Sequence, residues 1–296
     1  MRKIHKNLID PLPIEIGQDI WYKVEVEVPA DNNKAIAVID KMTTGLTYDA
    51  TSLKAELDEE GGTAVPYTAM TASDTEYDDG DDVAFQIKFS DSTVTNTLAG
   101  HKVVITYKAT VNTNALVDTG KENEVTLKYD EGHYVQKDKA NYKHFFTGIE
   151  KVDGAVKTKK LENVKFTLTA NGVAFNVTKT SDGWYIPGGS SNEVVTDSNG
   201  LIIIRGLDSD KADYVLTETE TNAGYNLLKD PKTLTLVEDT TTAYATDNFD
   251  QIENNQGAEL PHTGGIGTTI FYIGGSVLVL AAAILLITKR RMGNND

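Results

Sequence analysis

The stretch Asp19-Ile-Trp-Tyr-Lys-Val-Glu-Val-Glu-Val28 shows the pattern that governs most of the chain. Its apolar side chains alternate with Lys23, Glu25 and Glu27. A period of two residues is typical of a strand with one buried face. Pro29 follows directly, and proline ends such a strand because it cannot donate to the ladder. The stretch therefore predicts a half-buried β-strand.

Similar runs recur along the chain, separated by turns rich in Gly, Asn and Asp. No segment before residue 265 shows a long apolar stripe of helical period. The sequence therefore predicts an all-β fold of short strands, typical of β-sandwiches. The further predicted strands are 35–40, 83–89, 102–111, 124–129, 148–152, 164–170, 201–205, 214–219 and 233–237.

Length and polar breaks divide the chain into three parts. Its 296 residues suffice for roughly two domains. The polar stretch 131–142 is interpreted as a linker, and the polar stretch 251–259 as a stalk before the C-terminal segment. We therefore predict two tandem domains, 1–142 and 143–255, followed by a separate segment, 256–296.

Composition excludes some functions. The net charge of −16 argues against nucleic acid as a partner. Cysteine is absent, so an exported form must be stabilised by its core or by a covalent link other than a disulfide. Residues 1–7 are basic, but no apolar signal-peptide core follows them. We therefore expect an export signal upstream of Met1.

Catalytic and metal-binding motifs are not recognised in the sequence. The acidic run 74–82 suggests a calcium loop, but Asp79 stands where that loop needs glycine and Phe85 where it needs glutamate. We predict a solvated hairpin tip there, with no metal or cofactor. Five scattered histidines, no cysteine and no GxSxG or HExxH motif indicate that the chain is not an enzyme.

The C-terminus combines three features in order. The pentapeptide Leu260-Pro261-His262-Thr263-Gly264 is followed by an uncharged run, 265–288, and then by Lys289-Arg290-Arg291. At about 1.5 Å per residue, the run 266–287 is long enough to cross a hydrocarbon core of about 30 Å. The sequence predicts one transmembrane helix there, with its basic end in the cytoplasm.

This combination resembles the LPxTG sorting signal of Gram-positive cell-wall proteins, with His262 at the unspecified position. The resemblance implies that a sortase cleaves between Thr263 and Gly264. The new Thr263 carboxyl would then be joined to peptidoglycan or to a lysine of another pilin subunit. It also implies a precursor held in the membrane before sorting and a mature protein in the cell wall.

The second predicted domain resembles a B-type repeat of the collagen-adhesin family, an immunoglobulin-like (Cna-type) sandwich found in sortase-assembled pilins. The motifs that carry the resemblance are Lys151-Val-Asp153, 196–207, Tyr214-Val-Leu-Thr-Glu-Thr219, 223–226 and Ile252-Glu-Asn254. The chain departs from the family pattern at 162–164 and at Asn222.

Such domains carry a self-formed isopeptide bond between a lysine and an asparagine. By resemblance, the lysine is Lys151, the asparagine is Asn254, and Glu218 is the buried acid that promotes the reaction. Asn255 and Asn248 remain alternative partners.

The first predicted domain resembles the fimbrial isopeptide-forming domain of the same pilins. The matching pieces are 16–19, 38–47, 99–112 and 123–129, although Tyr129-Asp130-Glu131 replaces the family's Tyr-Ser-Asn. The resemblance implies a bond between Lys6, or alternatively Lys3, and Asn123, promoted by Asp40. The alternative for Asp40 is a residue that caps a turn after a strand.

Together the resemblances imply a secreted structural protein, a pilus subunit. Its expected partners are a sortase, peptidoglycan and other pilin subunits. The alternative is a wall-anchored adhesin whose sandwiches display a surface for a host protein. The lysine motif with which pilins accept the next subunit is not recognised in this sequence.

Overall fold

The computed structural model describes residues 3–10, 13–117, 120–129, 134–240, 249–257, 275, 278–280, 282 and 284. Residues 1–255 form one compact unit, and 256–296 form a second. The first unit is mostly β, as predicted. Its described helical segments are single turns, Asp91–Thr93, Val94–Leu98 and Thr113–Leu116.

In the described part of the chain, nine strands build a pair of sheets that we call the first sandwich. In chain order they are β1 Lys3–Leu8, β2 Asp19–Glu27, β3 Ile36–Met42, β4 Leu46–Leu57, β5 Thr68–Ala69, β6 Val83–Phe89, β7 Lys102–Val111, β8 Glu122–Tyr129 and β9 Tyr134–Asn141. Sheet A has the order β1-β2-β7-β4, and sheet B has the order β5-β6-β3-β8-β9.

Eleven further strands among the described residues build the second sandwich. They are β10 Phe145–Asp153, β11 Lys165–Ala170, β12 Val173–Ala174, β13 Val177–Lys179, β14 Tyr185–Pro187, β15 Glu193–Val195, β16 Leu201–Leu207, β17 Tyr214–Glu220, β18 Lys232–Thr233, β19 Val237–Glu238 and β20 Asp250–Asn254. Sheet C runs β13-β14-β16-β10-β19, with β20 also paired to β10. Sheet D runs β12-β11-β17-β18, with β15 also paired to β11.

Alternating burial explains why these sheets pack into two cores. Along β2 the even positions from 20 to 26 are buried, as the sequence predicts. On β7 the odd positions from 103 to 111 are buried in the same way. One hydrophobic cluster joins sheets A and B and also includes Ile186 of β14 in sheet C, and a second cluster joins sheets C and D.

The stretch predicted to be a linker, 131–142, is instead largely strand β9. It pairs along its whole length with β8, in antiparallel register from Tyr129–Tyr134 to Glu122–Asn141. The linker prediction is wrong because only Ala140 of β9 is buried, so the apolar alternation that marks other strands is missing. Backbone pairing to β8 holds this strand in place.

Two other predictions near the end of the second sandwich need correction. The predicted strand 233–237 is two short strands, since β18 pairs with β17 in sheet D and β19 pairs with β10 in sheet C. The chain therefore passes from one sheet to the other. The predicted stalk 251–259 begins as β20, which runs parallel to β10.

A hydrogen bond from a buried, ion-paired arginine and a backbone hydrogen bond join the two sandwiches. The guanidinium of Arg205 binds Asp239 through two hydrogen bonds of 3.0 and 3.1 Å, and it also donates to the Leu116 carbonyl at 2.6 Å. The amide of Ile16 donates to the Gly206 carbonyl at 3.0 Å. Leu116 and Ile16 belong to the first core, so residues 1–255 pack as one unit.

The predicted membrane helix, 266–287, falls mostly outside the described residues. Within the part of the chain that is described, no helix has the length and apolar character needed to cross a membrane.

Candidate cross-linking sites

The second sandwich brings Lys151, Glu218 and Asn254 together. Lys151 lies on β10, and Asn254 lies on the neighbouring parallel strand β20, directly opposite Asp153. Asp153 and Lys151 are two residues apart, so the side chains of Lys151 and Asn254 share one face of sheet C. Glu218 comes from β17 of sheet D, where it pairs with Phe166.

The three side chains are in direct contact. The Nζ of Lys151 lies 2.6 Å from the Oδ1 of Asn254 and 2.9 Å from the Oε2 of Glu218. The Nδ2 of Asn254 donates to the Oε1 of Glu218 and, at 2.7 Å, to the Oγ1 of Thr221. The carboxyl of Glu218 thus contacts both the amine and the carboxamide.

Burial changes the chemistry of this amine. The side chains of Lys151 and Glu218 are fully buried, and the Lys151 Nζ lies 5.6 Å from the centre of the Phe166 ring. Desolvation lowers the pKa of Lys151, and the contact with Glu218 only partly opposes that shift. A neutral amine carries the lone pair that a nucleophile needs.

The same strands carry a similar trio on their solvent-facing side. Glu150 contacts the Lys160 amine, and it accepts from the Gln251 carboxamide at 2.7 Å. Lys160 is about one-third exposed, and its hydrogen bond is the main cause that lowers the pKa of Glu150. In this trio too, one carboxylate contacts an amine and a carboxamide, but the lysine is partly exposed.

The first sandwich brings Lys6, Asp40 and Asn123 into one buried cluster. Lys6 lies on β1 of sheet A, and its Nζ donates to the Oδ2 of Asp40 on β3 of sheet B. On the neighbouring strand β8, Asn123 lies opposite Met42, which puts it on the same face as Asp40. Each of the three residues is at most 3% exposed.

Electrostatics in this cluster also favour neutral groups. Burial lowers the pKa of Lys6 to about 8, although Asp40 opposes the shift. Burial raises the pKa of Asp40, while Lys6, Tyr107 and Asn123 act in the opposite direction. Burial thus shifts both groups toward their neutral forms, the amine of Lys6 and the protonated carboxyl of Asp40.

The sequence missed one member of this cluster, Tyr107. Its hydroxyl donates to the Oδ2 of Asp40 at 2.6 Å and accepts from the Nδ2 of Asn123 at 3.1 Å. A signal was present, because Tyr107 falls on the buried face of the predicted strand 102–111. A buried tyrosine hydroxyl usually has a hydrogen-bond partner. Thr221 in the second sandwich was missed as well.

The alternative partners do not join these clusters in the described contacts. Asn255 is exposed, and Asn248 lies outside the described residues. Lys3 is placed by its backbone only, opposite Glu27. The prediction that Asp40 caps a turn finds no support, since the residue lies inside β3 and is fully buried.

The acidic run 74–82 is held by lysines. Lys88 contacts Asp74 and Glu76 at 3.4 and 3.0 Å, and Lys41 contacts Asp78 and Asp82 at 3.0 and 3.1 Å. Within the described residues no group of histidines and carboxylates has the arrangement of a metal site. The predicted sorting residues Leu260, Pro261, His262, Thr263 and Gly264 all lie outside the described residues.

Comparison with known families locates two matches in the C-terminal half. Residues 147–249 match the SpaA family, described as a prealbumin-like fold domain, and residues 252–292 match the LPXTG cell wall anchor motif. The chain is an LPXTG-anchored, pilin-like protein. The anchor indicates the cell surface of a Gram-positive bacterium and implies processing by a sortase.

Solved structures agree on the fold of this pilin-like protein. The backbone protein of group B streptococcus pilus 2b is 18% identical with a TM-score of 0.59, covering 86% of this chain and 99% of its own. The RrgB pilus protein of Streptococcus pneumoniae is 14% identical with a TM-score of 0.59, covering 89% and 74%. The major pilin SpaD of Corynebacterium diphtheriae is 17% identical with a TM-score of 0.54, covering 86% and 65%.

These matches are to pilus proteins and to a cell-wall anchor motif. A search of curated proteins found no match to the sequence.

Proposed function

We propose that the pilin-like protein is a pilus subunit whose two sandwiches are each fastened by a self-formed isopeptide bond. The domains are 1–142 and 143–255, both of the immunoglobulin-like Cna type. The observation that carries the proposal is the buried contact of Lys151 with Asn254 and Glu218. The two hydrophobic clusters, one centred on each sandwich, support the division into two domains.

In the second sandwich the reaction is an amide exchange. The neutral Nζ of Lys151 attacks the Cγ of Asn254, the Nζ–Cγ bond forms, and the Cγ–Nδ2 bond breaks. Glu218 accepts a proton from the attacking nitrogen and supplies one to Nδ2, which leaves as ammonia. Its two oxygens contact these two nitrogens, so one group can serve both transfers and end unchanged.

The first sandwich carries the same reactants in the same roles. Lys6 is the nucleophile, Asn123 is the carboxamide and Asp40 is the acid. The contact of Lys6 with Asp40 in a fully buried setting supports this assignment.

These bonds suit a chain without cysteine. The bond between Lys151 and Asn254 closes a loop of about 100 residues, for which loop-closure reasoning gives roughly 4–5 kcal/mol of stabilisation. An amide, unlike a disulfide, is not broken by thiol reductants. The cross-link therefore supplies stability that a disulfide supplies in other exported proteins.

The C-terminal segment, 256–296, serves sorting. The run 266–287 holds the precursor in the membrane while a sortase cuts between Thr263 and Gly264. The Thr263 carboxyl is then transferred to peptidoglycan or to a lysine of another pilin.

Expression with a signal peptide in sortase-positive and sortase-negative cells tests this role. In the positive cells we expect wall extracts to hold a ladder of covalent multimers, with a mature chain that ends at Thr263 by mass spectrometry. Single wall-linked chains without a ladder would favour the adhesin, which displays a surface for a host protein. Wall material that retains residues 265–296 would contradict the proposal.

A further inference from the structure

The two clusters differ in how the acid reaches the leaving nitrogen. In the second sandwich Glu218 contacts the Asn254 nitrogen directly. In the first sandwich the acid is Asp40, which is one methylene shorter than a glutamate. There the hydroxyl of Tyr107 contacts both the acid and the amide, 2.6 Å from the Oδ2 of Asp40 and 3.1 Å from the Nδ2 of Asn123.

We propose that Tyr107 is a catalytic residue of the first sandwich, whose hydroxyl relays a proton from Asp40 to the nitrogen that leaves Asn123. The inference rests on the proposed cross-link between Lys6 and Asn123. It adds a fourth group to the reactants that the sequence resemblance implies.

The contacts provide a continuous path for the proton. The Nζ of Lys6 and the hydroxyl of Tyr107 both contact the same oxygen of Asp40, its Oδ2. A proton that leaves the attacking nitrogen therefore arrives on the atom beside the phenol. The phenol oxygen is in turn within hydrogen-bond distance of the departing nitrogen.

The proton transfers balance. As the Nζ–Cγ bond forms, one proton passes from Nζ to the carboxyl of Asp40. Asp40 gives one proton to the Tyr107 oxygen, and Tyr107 gives its own to Nδ2 as the Cγ–Nδ2 bond breaks and ammonia leaves. Asp40 and Tyr107 end in the states in which they began.

The setting keeps this phenol neutral and in place. Tyr107 is fully buried on β7, and its ring stacks on Tyr22 at a centroid distance of 5.5 Å. Desolvation and the nearby Asp40 raise the pKa of Tyr107 well above its usual value. The hydroxyl therefore keeps a proton to donate, and general acid–base catalysis by a positioned group typically contributes about 100-fold or more.

The test compares the full chain with its Tyr107→Phe variant, each made in a cell-free reaction with detergent. Samples taken over time are digested, and the joined peptides of Lys6 and Asn123 are quantified by mass spectrometry. The joined peptides of Lys151 and Asn254 report on the second sandwich of the same molecules. We expect the first bond to form about 100-fold more slowly in the variant, while the second forms at the wild-type rate.

A matched control is Tyr48→Phe. Tyr48 belongs to the same aromatic cluster, with its ring 6.1 Å from that of Tyr107. It makes no hydrogen bond to Asp40 or Asn123 in the described contacts, so its loss should leave the first bond unaffected.

Replacement of Tyr107 by a fluorinated, more acidic tyrosine keeps the hydroxyl and distinguishes a relay from a structural role. The rate of the first bond should then rise with the acidity of the phenol. If the first bond forms at the wild-type rate in Tyr107→Phe, the relay is overturned. The same holds if its rate of formation does not change with the acidity of the phenol. In either case Asp40 acts directly. A wild-type chain without the first bond overturns the proposed cross-link itself.

Discussion

The amine of Lys151 lies 2.6 Å from the amide oxygen of Asn254, although 103 positions separate the two residues in the chain. Glu218, from the facing sheet, contacts both. Parallel pairing of β10 with β20 creates this contact by placing the start of the second sandwich beside its end. The reacting atoms are thus held together by the fold before any bond forms, which is the condition under which proximity lowers a barrier.

Glu218→Gln should abolish the second cross-link or slow it greatly. The glutamine keeps the shape and can donate hydrogen bonds, but it cannot accept and return a proton. The intact mass should exceed that of the wild type by one ammonia, after correction for the substitution. The matched control is Glu150→Gln, which changes the exposed trio with Lys160 and Gln251 and should leave the mass deficit intact. A Glu218→Gln chain with the full wild-type deficit would show that the carboxyl is only structural.

The same variant should be less stable. Without the cross-link the loop of about 100 residues is open in the unfolded state, and the free energy of unfolding of the second sandwich should fall by roughly 4–5 kcal/mol. Denaturant unfolding and trypsin digestion of the variant beside Glu150→Gln would measure the loss. Equal stability of the two variants would contradict a covalent closure in the wild type.

Asn123→Ala should make stability depend on alkaline pH. In that variant Lys6 stays a free amine, and burial holds its pKa at about 8 rather than its usual 10.5. Between these values the unfolded chain binds more protons than the folded one, so stability should rise with pH from about 8 to about 10. In the wild type the proposed cross-link converts Lys6 to an amide, which does not titrate.

Asp40 has the opposite effect on stability. Because its pKa is raised in the folded protein, its contribution to stability falls as the pH rises, and this fall begins at acid pH. The measurement is therefore the difference in unfolding free energy between the variant and the wild type at about pH 8 and about pH 10. Taking this difference removes the contributions of the other lysines and tyrosines to the pH dependence, because both proteins contain them. Identical pH slopes for the two proteins would contradict a reacted Lys6.

The positions of the two proposed cross-links along the chain predict which segment extends under tension. A load applied at the two ends would pass from Lys6 to Asn123, along the chain to Lys151, and on to Asn254. Strand β9 lies outside both loops and has only Ala140 buried. We therefore expect single-molecule pulling to extend residues 124–150 alone, by at most about 3.6 Å per residue.

Lys6→Ala serves as the comparison for this measurement. Loss of the first cross-link should add the length of residues 7–122 to the extension. A wild-type chain that releases the whole first sandwich under the same load would show that no cross-link protects it.

Apolar alternation and short motifs predicted much of this architecture. The period of two along β2 and β7 identified both strands, because each has one face in the core. The motifs around Lys151, Glu218 and Asn254 identified three residues that the fold brings together. Such motifs carry information about distant contacts that local periodicity does not contain.

The features that the sequence did not predict were missed for physical reasons. Strand β9 is held by backbone pairing with β8, so its side chains show no apolar pattern. The first residues of the predicted stalk form β20 because β10 offers it a parallel neighbour, a contact that the polar sequence does not reveal. Tyr107 resembles any other buried residue of β7, and its role depends on Asp40 and Asn123, which lie on other strands.

The most direct test of the two cross-links is the intact mass of the wild-type full chain, purified from cells and measured under denaturing conditions. We predict a mass lower than the sequence mass by two ammonia molecules. Digestion should then yield Lys6 joined to Asn123 and Lys151 joined to Asn254. A chain with the unchanged sequence mass, and with all four residues in linear peptides, would contradict it.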